Sequence, residues 1–92
     1  MKQFESNGSI YTSYKIAIGK TSYTVLVVEG KINYISVSKD MPNILRGSLG
    51  RDFKNFDDAV LGYKSPALKV ALLNIELTHN QNKKNEQHNA NN

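Results

Sequence analysis

Cysteine is absent from this chain, so disulfide staples and thiolate metal sites are both excluded. A stretch that could cross a bilayer is absent as well, because no apolar run approaches the roughly 20 residues this needs. The opening MKQFESNGSI lacks the apolar h-region of a secretory signal. These absences fit a cytoplasmic protein with no membrane role. Most telling is the end of the chain. THNQNKKNEQHNANN, residues 78–92, contains no Val, Ile, Leu, Met, Phe, Tyr or Trp. A segment so polar buries too little apolar surface to offset the entropy of ordering it. The expected organisation is a flexible lead-in over 1–9, one domain over 10–77 and a disordered polar tail over 78–92. So small a domain is only marginally stabilised by burial, which favours oligomerisation.

The chain carries a formal charge of +4. Between Ile10 and Leu77, nine cations face six carboxylates, spread out rather than in blocks. Such a balance permits binding to phosphates or to an acidic protein surface without requiring either.

IYTSYKIAI, from Ile10 to Ile18, is dense in residues that suit a pleated surface. Gly19-Lys20 then reads as a tight hairpin turn. Thr21 to Val28 is the strongest strand. Tyr23, Val25 and Val27 lie on one face and Leu26 and Val28 on the other, as a central strand requires. After a turn at Glu29-Gly30-Lys31, Ile32 to Ser38 forms a third strand. Its alternation slips at Tyr34-Ile35, which predicts a bulge or an edge. Connections this short force antiparallel neighbours. Lys39 to Gly50, broken by Pro42, Gly47 and Gly50, reads as a loop that can hold a fourth short strand near Ile44-Leu45 or Leu49.

Asn55 suits a helix N-cap, with Asp57 and Asp58 in the positive first turn. Phe56, Ala59, Val60 and Tyr63 share one face, and this helix ends by Lys64. Ser65-Pro66 starts a second helix, Pro66 to about Leu77. Leu68, Ala71, Leu72 and Ile75 make its core stripe. Val70, Leu73 and Leu77 make a second apolar stripe that one small sheet does not cover. That stripe predicts a dimer or partner interface. The fold class is therefore α+β: a three- to four-stranded antiparallel β-meander, then a short helix and a longer C-terminal helix packed on one face. Tyr14, Ile16, Ile18, Val25, Val27, Ile35, Val37, Phe53, Phe56, Val60, Leu68, Leu72 and Ile75 form the expected core.

Catalytic chemistry finds little support. Asp57 and Asp58 are adjacent on a helix and diverge by some 100°, and the helix N-terminus already explains them. His79 and His88, the two histidines, fall in the polar tail, where they are expected to be solvated and without metal-ligating company. Gly47-Ser48-Leu49-Gly50 lacks the Gly-Lys-Ser/Thr ending and the preceding strand of a phosphate loop. The expectation is no enzyme, no cofactor and no metal.

A binding surface finds more. Lys39, Arg46, Arg51 and Lys54 cluster along the long loop and its exit. Tyr11, Lys15, Tyr23, Lys31 and Tyr34 lie on or beside the strands. Cations that track phosphates and rings that stack on bases are what hold single-stranded nucleic acid. Tyrosines also serve strands simply as good formers with a polar handle. Lys83-Lys84 adds loose attraction to a polyanion. The expected site is Tyr11, Lys15, Tyr23, Lys31, Tyr34, Arg46, Arg51 and Lys54, binding single-stranded DNA or RNA without catalysis. The alternative is a small protein-binding accessory factor, an inhibitor or adaptor of the phage or mobile-element kind. It would use the sheet edge or the stripe Val70, Leu73, Leu77.

The order of elements over Ile10 to Leu77, meander then C-terminal helix, resembles the small dimeric single-strand-binding coactivators of the positive cofactor four type. That resemblance implies a helix-mediated dimer and a sheet that grips the strand. Two helical segments and a milder basic balance set this chain apart from that pattern.

Overall fold

The computed structural model describes the backbone of residues 2–40 and 49–90, and their side chains except Leu49 and 84–90. Five strands, β1 (Lys2–Ser6), β2 (Ser9–Ile18), β3 (Thr21–Gly30), β4 (Tyr34–Lys39) and β5 (Leu49–Phe53), precede α1 (Phe56–Leu61) and α2 (Pro66–Ala90). The sheet is an antiparallel meander in the order β1-β2-β3-β4-β5. The protein is thus α+β, with one strand more than the sequence reading allowed.

Local chemistry sets each element. Gly19, at φ 60°, turns β2 into β3 so that Ile18 faces Thr21. β3, apolar on both faces, occupies the centre as its pattern requires. β4 pairs in unbroken register from Tyr34 opposite Val28 to Lys39 opposite Tyr23. The slip at Tyr34-Ile35 is therefore neither a bulge nor an edge. Ile32 belongs to the preceding turn, and Ile35 and Val37 alone point inward. β5 includes Leu49, whereas Ile44-Leu45 lie outside the described residues. Asn55 caps α1, its Oδ1 accepting from Asp58 N at 2.9 Å. Ser65 Oγ accepts from Leu68 N at 3.3 Å at the start of α2.

The two ends depart from expectation. The lead-in over 1–9 contains β1, paired with β2 from Lys2 opposite Ser13 to Ser6 opposite Ser9. Asn7 (φ 52°) and Gly8 (φ 83°) supply the two left-handed residues of its hairpin turn. The tail, expected disordered from Thr78, continues α2 to Ala90. Its reason is the buried spacing Leu68, Leu72, Ile75, His79, which carries the core stripe a turn further.

One face of the sheet packs on the helices. Tyr14, Ile16, Val25, Val27, Ile35 and Val37 meet Phe56, Ala59, Leu68, Leu72 and Ile75, with Ile18, Phe53 and Val60 at the margin. Every residue of the expected core is in or against this cluster. The hairpin tips also interlock: Lys31 N donates to Gly8 O at 3.1 Å and Ile32 N to Ser9 Oγ at 3.2 Å. Gly30, at φ 137°, lies where a Cβ would stand 2.5 Å from Gly8 O. Gly30→Ala is expected to cost about 1–3 kcal/mol through backbone strain. In a domain of this size that lowers the melting temperature by roughly 4–8 °C per kcal/mol, as a thermal melt would read.

Candidate nucleic-acid interface

Strand alternation divides the expected site between two faces. Tyr23 shares its face with Val25 and Val27 and packs against the core beneath the helices. Arg51 shares its face with Phe53. Its guanidinium lies 5.0 Å from the Phe53 ring centre and 5.1 Å from that of Tyr63. It donates to Gly62 O at 2.7 Å, just past the end of α1, while Lys69 Nζ donates to Val60 O at 2.8 Å. Both cations answer the exposed carbonyls and negative pole of that helix end. Tyr63 sits close by, and burial pushes its phenol above the usual value, partly offset by Arg51. Arg51 is therefore engaged at the end of α1 and Tyr23 against the core, and neither is gathered with the other expected residues.

Tyr11, Lys15 and Tyr34 project from the opposite, helix-free face. There Tyr11 and Tyr34 flank Val28, one from each neighbouring strand, and Val28 is 0 % exposed although no helix covers it. Phe4 extends the row. It lies opposite Tyr11, with ring centres 4.9 Å apart and planes within 2°, and remains 55 % exposed. Phe4–Tyr11–Val28–Tyr34 is thus a continuous apolar row across four strands. Beside it, Leu26 lies between Ser13 and Ser36, and the short polar residues Thr24 and Ser38 follow.

Lys2 and Lys15 stand on this face, and exposed Lys31 lies in the turn beside it. Lys15 Nζ donates to Thr24 Oγ1 at 2.6 Å and pairs with Asp40 at 3.3 Å, a solvent-exposed contact. Asp52 lies opposite Ser36 on the same face, so the cations outnumber the carboxylates only modestly. Lys54 is exposed at the far end, lining a hollow of about 190 Å³ with Tyr34, Phe56 and Glu76. Arg46 lies outside the described residues.

His79 was expected in solvent but is 5 % exposed. Nδ1 lies 2.6 Å from Tyr14 Oη and Nε2 lies 2.6 Å from Glu29 Oε1. Lys83 Nζ donates to Glu29 Oε2 at 2.8 Å. The chain Tyr14–His79–Glu29–Lys83 ties α2 to β2 and β3 beside a hollow of about 270 Å³. In the neutral ring, Nε2–H donates to the carboxylate and Nδ1 accepts from the phenol. Burial, with the Glu29 charge adding, holds the Tyr14 phenol above its usual value against a hydrogen bond from Asn82. The side chain of His88 is not among those described. Among the described residues no three His, Cys, Asp or Glu side chains converge as a metal site, and no helix is long and apolar enough to cross a membrane.

This latch carries a pH dependence. Burial alone would raise the Glu29 carboxyl, but the bonds from Lys83 and His79 outweigh it and hold Glu29 below its usual range. A carboxyl depressed in the folded state contributes stability above its unfolded pKa and loses it as pH falls through the folded one. Acidification below the ordinary carboxylate range should therefore lower the melting temperature, and Glu29→Gln should flatten that dependence.

The sequence missed two residues here. Phe4 was hidden because Lys2–Ser6 contains one apolar residue and so shows no alternation. His79 was legible as the next member of the spacing Leu68, Leu72, Ile75. The helical stripe Val70, Leu73 and Leu77 is 56, 48 and 59 % exposed, unmet by α1 or the sheet. No protein-family model, curated protein or solved structure matches this chain.

Proposed function

We propose that this protein is a non-catalytic cytoplasmic module that binds single-stranded nucleic acid across the helix-free face of its sheet. The observation that carries this reading is the in-register row Phe4, Tyr11, Tyr34, whose outermost ring is open to solvent. Bases stack on such rings with little regard to sequence. Lys2 and Lys31 border the row, Lys15 stands four residues along β2 from Tyr11, and the three are the phosphate contacts. Tyr23 and Arg51, engaged on the other face, drop out of the expected set. A twisted sheet face suits splayed bases, whereas duplex bases stay stacked on each other.

The test is a titration of fluorescently labelled single- and double-stranded oligonucleotides at two salt concentrations. Each phosphate neutralised on a single strand contributes a slope of about −0.7 to log K against log salt. Three lysines give a slope of about −2, or roughly a fifteenfold loss between 50 and 200 mM salt. Salt-independent binding, a preference for duplex, or no binding rejects the reading.

A second reading rests on a separate observation, the exposure of Val70, Leu73 and Leu77 along one line of α2. An apolar line on a helix suits a second protein surface, as for an inhibitor or adaptor. Capture of a defined partner that survives nuclease treatment and is lost in Leu73→Asp would support it.

A further inference from the structure

We infer that the free edge of β1 pairs with β1 of a second copy of this chain, joining two five-stranded sheets into one. The inference stands on edge geometry alone and does not depend on nucleic-acid binding. β1 is the end strand of the sheet, and all five of its residues are exposed.

The two-residue turn Asn7-Gly8 makes Ser6 and Ser9 a hydrogen-bonded pair. Antiparallel ladders alternate, so Phe4 and Lys2 also turn their backbone groups toward β2. The N–H and C=O groups of Gln3 and Glu5 consequently point away from the sheet. An unpaired row of this kind is a template for another strand.

The sequence selects the occupant. An antiparallel copy can use outward groups in a few registers only. Setting Glu5 opposite Glu5 faces like charges, and setting Gln3 opposite Gln3 shortens the overlap. The register centred on Phe4 uses all five residues and sets Gln3 against Glu5 and Lys2 against Ser6. No like charges meet, and the pairing is self-complementary, as a two-fold interface requires. Phe4 then faces Phe4 of the second copy as a non-hydrogen-bonded pair, the arrangement that brings side chains closest. The Phe4–Tyr11 stack at 4.9 Å already follows the spacing between strands. A second copy continues it as Tyr11–Phe4–Phe4–Tyr11. The two-fold axis runs perpendicular to the sheet, so both helix-free faces merge into one surface.

Two measurements test this. Sedimentation between about 10 µM and 1 mM, the weak end of specific association, should show a concentration-dependent dimer. Glu5→Pro removes an outward N–H, a substitution that edge strands tolerate, and should abolish the dimer without changing the melting transition. Leu73→Asp should leave the dimer intact. Because the chain lacks cysteine, Phe4→Cys introduces a single thiol. With oxidised glutathione taking up the two electrons and two protons, Phe4→Cys should link into a covalent dimer at least tenfold faster than Ser6→Cys. The Ser6 pair would lie well beyond the roughly 7 Å that a disulfide spans between Cα atoms. Should Glu5→Pro unfold the protein, the cysteine comparison decides alone. A monomer throughout, a dimer lost in Leu73→Asp, or equal linking rates overturns the inference.

Discussion

Leu72→Ala lowers the unfolding free energy by about 2–5 kcal/mol, the usual range for emptying a fully packed leucine site. Leu73→Ala, one position on, changes it by less than about 0.5 kcal/mol, as surface substitutions do. The contrast follows from the rotation of α2: Leu72 is 0 % exposed against the sheet and Leu73 is 48 % exposed. Total stabilities of small domains are about 5–15 kcal/mol, so the first loss is a large fraction of what this chain has. Chemical denaturation of both variants reads the difference directly. Equal losses would mean that a different face of α2 seals the sheet.

The second large effect is on binding. Removing both rings in Phe4→Ala/Tyr11→Ala should weaken single-stranded nucleic acid by about 1–3 kcal/mol for each base that stacked there, roughly 5- to 150-fold per base. Arg51→Ala should leave affinity within about twofold, because its guanidinium already serves Gly62 O and the Phe53 and Tyr63 rings. Fluorescence anisotropy at fixed salt compares the variants, with circular dichroism confirming that each is folded. If Arg51→Ala proved the more damaging, the binding surface would lie on the helix side of the sheet.

Most of the fold was legible because local and global signals agree in its middle. The alternation of β2 and β3, the turn Gly19-Lys20 and the caps Asn55 and Ser65 each act over a few residues, and each does in the structure what its chemistry dictates. The ends were missed for two different reasons, although the spacing Leu68, Leu72, Ile75 does point on to His79. β1 draws its order from pairing with β2 and from the left-handed Asn7-Gly8 turn, while its own side chains are nearly all polar. The last turns of α2 are anchored through His79, a residue whose ring becomes a core group only when Tyr14 and Glu29 supply both hydrogen bonds. Composition alone registers that segment as polar.

The candidate site was half legible. Residue types pointed to rings and cations, and strand parity already separated Tyr23, with Val25 and Val27, from Tyr11. Arg51 shares its parity with Phe53 in the same way, but no strand was firmly expected there. Phe4 depended wholly on β1. The helix stripe Val70, Leu73, Leu77 was read correctly as lying off the core, since it sits about half a turn away from Leu68, Leu72 and Ile75.

Amide chemical-shift mapping of the full chain with a short single-stranded oligonucleotide puts the binding surface to the most direct test. The largest shifts should fall on Phe4, Tyr11, Val28 and Tyr34, with Val70, Leu73 and Leu77 unmoved. Shifts confined to α2, or none at saturating oligonucleotide, would contradict a nucleic-acid site on the helix-free face.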